Sequence, residues 1–200
     1  MTKKTIAVFD FDKTITTRDS LVPFLVYLRG SFQAICKFTI LSPYFIGFIF
    51  GIISRQRTKE RVLESFCKGM SISELRDFGN VFARHELNGY VRPEAIERIK
   101  WHQNQGHQTI LVSASLNFYL IPWAEMNGFN DSITSIIAIA GDGKVTGKLQ
   151  GKNCWGPEKK RRLIELVGPK ENYTLYVYGD SKGDADILEM ADYPFYRKLS

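Results

Sequence analysis

The sequence predicts an α/β fold, a Rossmann-like parallel sheet with helices on both faces, interrupted after its first strand by an all-helical cap. Three observations carry this expectation. Thr5–Phe9, Gln108–Ser113 and Tyr173–Tyr178 are short apolar runs rich in β-formers, the pattern of strands buried on both faces. The second and third runs each follow a helical pattern, "PEAIERIKWHQNQG" and "GPEKKRRLIELVG", with proline near its start and glycine at its end. From Leu21 to Tyr90 that alternation is missing and the chain reads as helices throughout. The expected organisation is therefore a core of residues 1–17 and 92–200, with residues 18–91 as the cap.

The elements follow in order. After the first strand, "DSLVPFLVYLRG" is a helix for which Asp19 is a candidate N-cap. "TKERVLESFCKG" and "SISELRDFGNVFARHEL" are two more, the latter capped by Ser71 or Ser73. Glu74 stands three residues after Ser71, as a capping box requires. Beyond the second core strand, "SITSIIAIAGDGKVTGKL" is a β region whose "GDG" turn predicts a hairpin or flap.

Within the cap, residues 38–54 carry no charge, a length at the low end for crossing a membrane. Pro43, Gly47 and Gly51 interrupt this segment, and Arg29, Lys37, Arg55, Arg57, Lys59 and Arg61 flank it. Three readings fit: a packed cap helix or hairpin, a segment lying on or dipping into an anionic membrane, and a single span. A span puts the first and second strands on opposite sides of the bilayer, which a shared sheet forbids; a re-entrant turn about Pro43 avoids that conflict.

Two hundred residues suffice for one packed domain with an insertion, and 44% hydrophobic with 24% charged residues is a globular composition. The charge of +6, from 27 basic and 21 acidic residues, favours anionic partners. The basic residues form no long run, so nucleic acid is not an expected partner. Cys36, Cys67 and Cys154 are scattered and odd in number, which fits reduced thiols in the cytoplasm and neither a disulfide frame nor a zinc site. The apolar run at Ile6–Phe9 is too short for an export signal.

The chemistry lies at strand ends, where parallel sheets build their sites. Asp10 and Asp12 follow the first strand, Ser113 and Ser115 end the second, and Asp180 follows the third, with Asp184 four residues later. Lys159 stands in the first turns of the helix that leads into the third strand. Singly these signals are weak, since paired aspartates are common in loops and Lys159 has basic neighbours on a helix that could simply be solvated. Together, Asp10, Asp12 and Asp180 converge as three carboxylates, and oxygen-only ligands of this kind point to Mg²⁺. Lys159 and the Ser113 hydroxyl then supply donors for a phosphoryl group. His85, His102 and His107 lack partners at ligand spacing and read as structural or solvated, and Asp186 as surface or the start of a helix.

"DFDKT", "LVSAS", "NCWGPEKKRRL" and "YGDSKGDADIL" resemble, in order, the four motifs of the haloacid dehalogenase-like (HAD) phosphohydrolases. The likeness covers the chain apart from the apolar cap segment and is strongest to subfamily IB, the branch that includes phosphoserine phosphatase. That resemblance implies a phosphomonoester phosphatase working through an aspartyl-phosphate. Asp10 would be the nucleophile and Asp12 the general acid and then base. Mg²⁺ would be held by Asp10, the Asp12 backbone carbonyl and Asp180. Ser113, Ala114 and Lys159 would bind phosphate, Thr14 would fix the first loop by hydrogen bonding, and Asp184 would orient ligands from behind. "TITTRDSLVPF" lacks the acidic pair that phosphoserine phosphatases carry there. The apolar segment with its basic flanks and "CWGPEK" look instead like the phosphatidylglycerophosphatase C group. This implies a lipid phosphate at the inner face of the plasma membrane. A soluble metabolite phosphatase and a non-catalytic binding protein on the same fold are the alternatives.

Overall fold

The protein is described from a computed structural model covering residues 3–199. A five-stranded sheet forms its centre, in the order β3-β2-β1-β6-β7, with every neighbouring pair parallel. The strands are β1 (Lys4–Phe9), β2 (Gln108–Leu116), β3 (Asp131–Ser135), β6 (Tyr173–Gly179) and β7 (Tyr193–Tyr196). The alternation of each strand sorts its side chains between two layers. Ile6, Val8, Ile110, Val112, Leu175 and Val177 meet Leu163 of α8 (Pro157–Val167) and Ile187 of α9 (Ala185–Glu189). On the other face Ala7, Phe9, Leu111 and Tyr178 belong to the core that includes α6 (Pro93–Asn104) and α7 (Asn117–Met126). The expected sheet with helices on both faces is thus present. The "GDG" turn also forms as predicted, joining β4 (Ile137–Ile139) and β5 (Val145–Leu149) in an antiparallel pair outside the main sheet.

Between β1 and β2 come α1 (Leu21–Arg29), α2 (Ser31–Ile40), α3 (Ser42–Ile49), α4 (Arg55–Cys67) and α5 (Ile72–His85). The chain enters and leaves this insertion side by side. Thr16 and Val91 form an antiparallel bridge, and the Thr17 amide donates to the Tyr90 carbonyl at 2.8 Å. Phe24, Phe66 and Phe82 pack inside the insertion, while Tyr119 of α7 packs at a tilt against Phe24 and edge-on against Phe82. The approach of α5 to α7 is close: a Cβ at Gly79 would stand 2.3 Å from the Phe118 carbonyl oxygen. Ser71, not Ser73, caps α5 by accepting the Glu74 amide at 3.1 Å. Asp19 is not the N-cap of α1. Ser20 holds that position, and the Asp19 carboxylate accepts the Leu21 amide.

The apolar segment, residues 38–54, spans the end of α2, all of α3 and the turn after it, and the two helices are bent at 54° to each other. No single helix among the described residues is long and apolar enough to cross a membrane. Nor is the segment a packed core element. Ile40 is 74% exposed, Ile49 76%, Phe50 75% and Ile52 81%, while Phe38 and Phe45 turn inward. The basic flanks are mostly engaged with the protein. Arg29 and Lys37 donate to the carbonyls of Phe66 and Ser65, Arg61 pairs with Glu64, and Lys59 points into the interior.

Candidate active site

The site is assembled at the carboxyl ends of β1, β2 and β6. The loop after β1 turns sharply at Lys13, whose φ of 63° lies in the left-handed region and stores strain characteristic of functional turns. The two aspartates both precede this turn, yet they take different surroundings. Asp10 stays at the strand end, buried at 6% exposure, with its amide bonded to the Tyr178 carbonyl. Asp12 swings towards the insertion, where its carboxylate accepts the Ser20 amide at 2.7 Å and the Ser115 hydroxyl at 2.5 Å.

Asp10, Asp180 and Asp184 each place one carboxylate oxygen within 4.8 Å of the others. The Lys159 ammonium stands 2.6 Å from both Asp10 and Asp184 and donates to the Val112 carbonyl at 3.0 Å. Three carboxylates around one ammonium leave surplus negative charge in a buried place. Burial first, and then the charge of Asp184, raise the Asp10 carboxyl from 3.8 to about 7, against the pull of Lys159. Asp180 rises for the same two reasons. For Lys159 burial alone favours the neutral amine, but Asp10 and Asp184 more than reverse that and hold it above its ordinary value. A divalent cation would balance this charge, and the all-oxygen donor set suits Mg²⁺. Asp12 lies apart from the cluster. Burial and then Asp19 raise its carboxyl to about 6, opposed by the hydrogen bonds from Ser115 and Ser20.

Asp184 is fixed from below. Its second oxygen accepts the Ser181 amide at 3.1 Å and the Ser181 hydroxyl at 2.8 Å, which closes a capping box. A Cβ at Gly179 would lie 2.6 Å from the Asp184 Cβ, so this packing requires glycine. At the end of β2 the register against β3 slips, with Val112 opposite Ile133 but Leu116 opposite Ser135. The resulting bulge holds Ser113, Ala114 and Ser115 out of regular pairing beside the carboxylates. The Ser113 hydroxyl accepts the Ser115 amide at 3.1 Å, leaving its own proton free to donate.

Among the predicted site residues, the structure therefore gathers Asp10, Lys159, Asp180 and Asp184 in one cluster, with Ser113, Ala114 and Asp12 at its border. Thr14 departs from expectation. Its hydroxyl is buried without a hydrogen-bond partner, and Thr16 does the fixing, accepting the Lys13 amide and donating to the Arg18 carbonyl at 2.7 Å. Ser20, Ser115 and Lys59 were not assigned to the site from sequence. Ser115 carried one legible signal, a second hydroxyl two residues after Ser113. His102 is structural as expected, bonded to the Tyr178 hydroxyl at 2.9 Å and to His107 at 2.8 Å; His85 is exposed and Asp186 lies in the first turn of α9. The three cysteines are free thiols.

Two openings flank the cluster. Beside Asp180 lies a broad groove of about 990 Å³ whose walls include Lys13, Arg92, Arg98 and Arg197. Beside Asp12 lies a cavity of about 320 Å³ between the sheet end and the insertion. Its outer wall is apolar, with Leu21, Leu25, Phe38, Phe45 and Phe48.

Residues 7–189 match the family of haloacid dehalogenase-like hydrolases. The chain belongs to this family. It is 31% identical over 195 residues to protein CicA of Caulobacter vibrioides, covering 96% of this chain and 85% of that one. It is 29% identical to a probable phosphatase of Mycobacterium tuberculosis, over 93% and 66% of the two chains. A substrate-bound phosphoserine phosphatase has the same fold, with a TM-score of 0.63 at 16% identity over 96% and 84%. The chain is thus an enzyme of the HAD hydrolases, and its named enzyme relatives are phosphatases.

Proposed function

We propose that the protein is a Mg²⁺-dependent phosphomonoesterase acting through Asp10 on a lipid phosphate such as phosphatidylglycerophosphate. The observation that carries the chemistry is the unequal treatment of two neighbouring carboxylates. Asp10 is drawn into a cluster with Asp180, Asp184 and Lys159, whereas Asp12 is held outside it by Ser115 and Ser20.

Asp10, Asp180 and the Asp12 backbone carbonyl would hold Mg²⁺, which draws charge from the phosphoryl oxygens. An Asp10 carboxylate oxygen attacks phosphorus, a bond forms between them, and the bond from phosphorus to the alcohol oxygen breaks. The Asp12 proton passes to the departing alkoxide; a carboxyl raised to about 6 is well suited to hold that proton until then. Water then attacks the phosphorus of the aspartyl-phosphate and gives a proton to Asp12, freeing inorganic phosphate and restoring Asp10. Lys159, Ser113 and Ala114 hold the phosphoryl oxygens during both transfers.

The lipid substrate is supported by the exposed apolar residues of α2, α3 and the turn after them, and by the apolar wall that runs from Phe38 and Phe48 towards Asp12. Placed on the cytoplasmic face of an anionic membrane, that surface brings a head group to the site while the acyl chains stay in lipid. A soluble amine-bearing ester such as phosphoserine is the second reading. It is favoured by Asp19, a carboxylate in the wall of the same cavity.

The test is Mg²⁺-dependent phosphate release from phosphatidylglycerophosphate in mixed vesicles, beside phosphoserine and other soluble monoesters. The lipid ester is expected to be preferred. A preference for phosphoserine overturns the lipid substrate and leaves the chemistry, whereas no release from any monoester overturns both.

A further inference from the structure

Lys59 is a half-buried cation that the mechanism above does not use. It enters from α4, and its ammonium donates to the Ala114 carbonyl and to the Asn153 Oδ1 at 3.0 Å. Both acceptors are neutral, and an ammonium has three N–H groups, so one remains for a ligand. The contrast with Lys159 is direct, since Lys159 sits between two carboxylates while Lys59 forms no ion pair among the described residues. Burial accordingly lowers the Lys59 ammonium to about 8, with Asp12 opposing the shift. A second cation stands nearby. The Arg55 guanidinium lies 4.6 Å over the Trp155 ring and 5.2 Å over that of Phe48. Lys59 and Arg55 both line the 320 Å³ cavity, together with Asp12 and the apolar residues. The carboxylates of that cavity are otherwise engaged, Asp12 with Ser115 and Ser20, and Asp19 with the Leu21 amide at the exposed rim.

We infer that Lys59 determines specificity by binding a second anionic group on the leaving alcohol, with Arg55 meeting the same group from the cavity mouth. The inference rests on the phosphatase reading and deepens it. A half-buried ammonium with only neutral partners gains most from a charge-assisted bond, which is shorter and stronger than a neutral one. The position is suitable, since Asp12 gives its proton to the alcohol oxygen and Lys59 lines the same cavity as Asp12 and the apolar residues. The substrate class that fits has a phosphomonoester at one end, a phosphodiester or carboxylate a few atoms along, and an apolar body beyond.

The test compares three water-soluble esters with Mg²⁺: glycerol 3-phosphate, whose alcohol is neutral; 3-phosphoglycerate, which adds a carboxylate; and glycerophosphoglycerophosphate, which adds a phosphodiester. Lys59→Gln is expected to raise KM about 10- to 100-fold for an anion-bearing ester, the worth of one hydrogen bond to a charged group. Its kcat/KM for glycerol 3-phosphate should stay within about 3-fold of wild type. Lys59→Arg should restore most of the lost affinity. Whichever ester shows the selective loss names the anion. An equal loss on all three overturns the inference, because Lys59 then only shapes the Ala114 turn; so does no loss on any. Should Lys59→Gln fail to fold, Arg55→Gln asks the same question from the mouth, and the absence of a selective KM rise there is equally decisive. If the wild type hydrolyses none of the three, nor any other monoester, it is the phosphatase reading that has failed, and the inference falls with it.

Discussion

The carboxylate cluster and the α2–α3 pair are opposite solutions to placing side chains on one fold. In the cluster Asp10, Lys159 and Asp184 are buried and Asp180 is half-buried, and partners from distant parts of the chain meet there: Lys159 joins Asp10, Asp184 and the Val112 carbonyl in one point. In α2–α3 there is little charge to fix, and large apolar side chains face outward. In the cluster the burial of charge is offset by prepositioned counter-charges, with Lys159 between Asp10 and Asp184. Contiguous exposed apolar surface marks an interaction face, and the described residues leave that of the α2–α3 pair uncovered.

Three experiments separate the two regions, beginning with the largest effect. Asp10→Asn removes the nucleophile and should lower turnover by at least about 1,000-fold while circular dichroism stays native. Substantial residual Mg²⁺-dependent hydrolysis would assign the chemistry elsewhere. Next, replacing Phe32, Ile49, Phe50 and Ile52 together by serine should weaken binding to anionic vesicles at least about 100-fold, since each side chain contributes on the order of 1.5–3 kcal/mol when buried in an apolar phase. Hydrolysis of a soluble monoester should be unchanged within about 2-fold. Unaltered vesicle binding would mean that the surface is covered by protein instead.

The smallest effect tests the charge surplus. The Asp10 carboxyl is raised when folded, so its contribution to metal-free stability is full below about pH 4 and is lost as pH rises through about 7. Mg²⁺ competes with that proton. It should therefore raise Tm by several degrees at pH 8, about 3–8 °C, and by about 1 °C or less at pH 5. An equal gain at both pH values would separate Mg²⁺ binding from these carboxylates.

The same contrast explains what the sequence revealed. Asp10, Asp12, Lys159, Asp180 and Asp184 were legible because apolar strands announce themselves and parallel sheets put chemistry at their ends. The roles of Thr16, Ser20 and Ser115 were not, because they arise from contacts that no local pattern encodes: Ser115 reaches Asp12 across 103 positions. Thr14 was misread for a related reason, as the turn at Lys13 hands its expected bonds to Thr16. Lys59 was hidden among basic neighbours, and only the packing of α4 shows that it alone of them turns towards Asn153 and Ala114. The edge strand β7, "YPFY", is four residues long and contains proline, which masks it as a strand. For α2–α3 the composition was plain, but helix boundaries and facing depended on the bend between Ile40 and Ser42.

The central claim is that Asp10, and not its neighbour Asp12, carries the phosphoryl group. Borohydride reduces an acyl phosphate to an alcohol, so quenching the enzyme with it during turnover marks the residue that was phosphorylated. Peptide mass spectrometry is predicted to find homoserine at position 10 and unmodified aspartate at position 12. Homoserine at position 12, or turnover with no reduced residue at either position, would contradict the account.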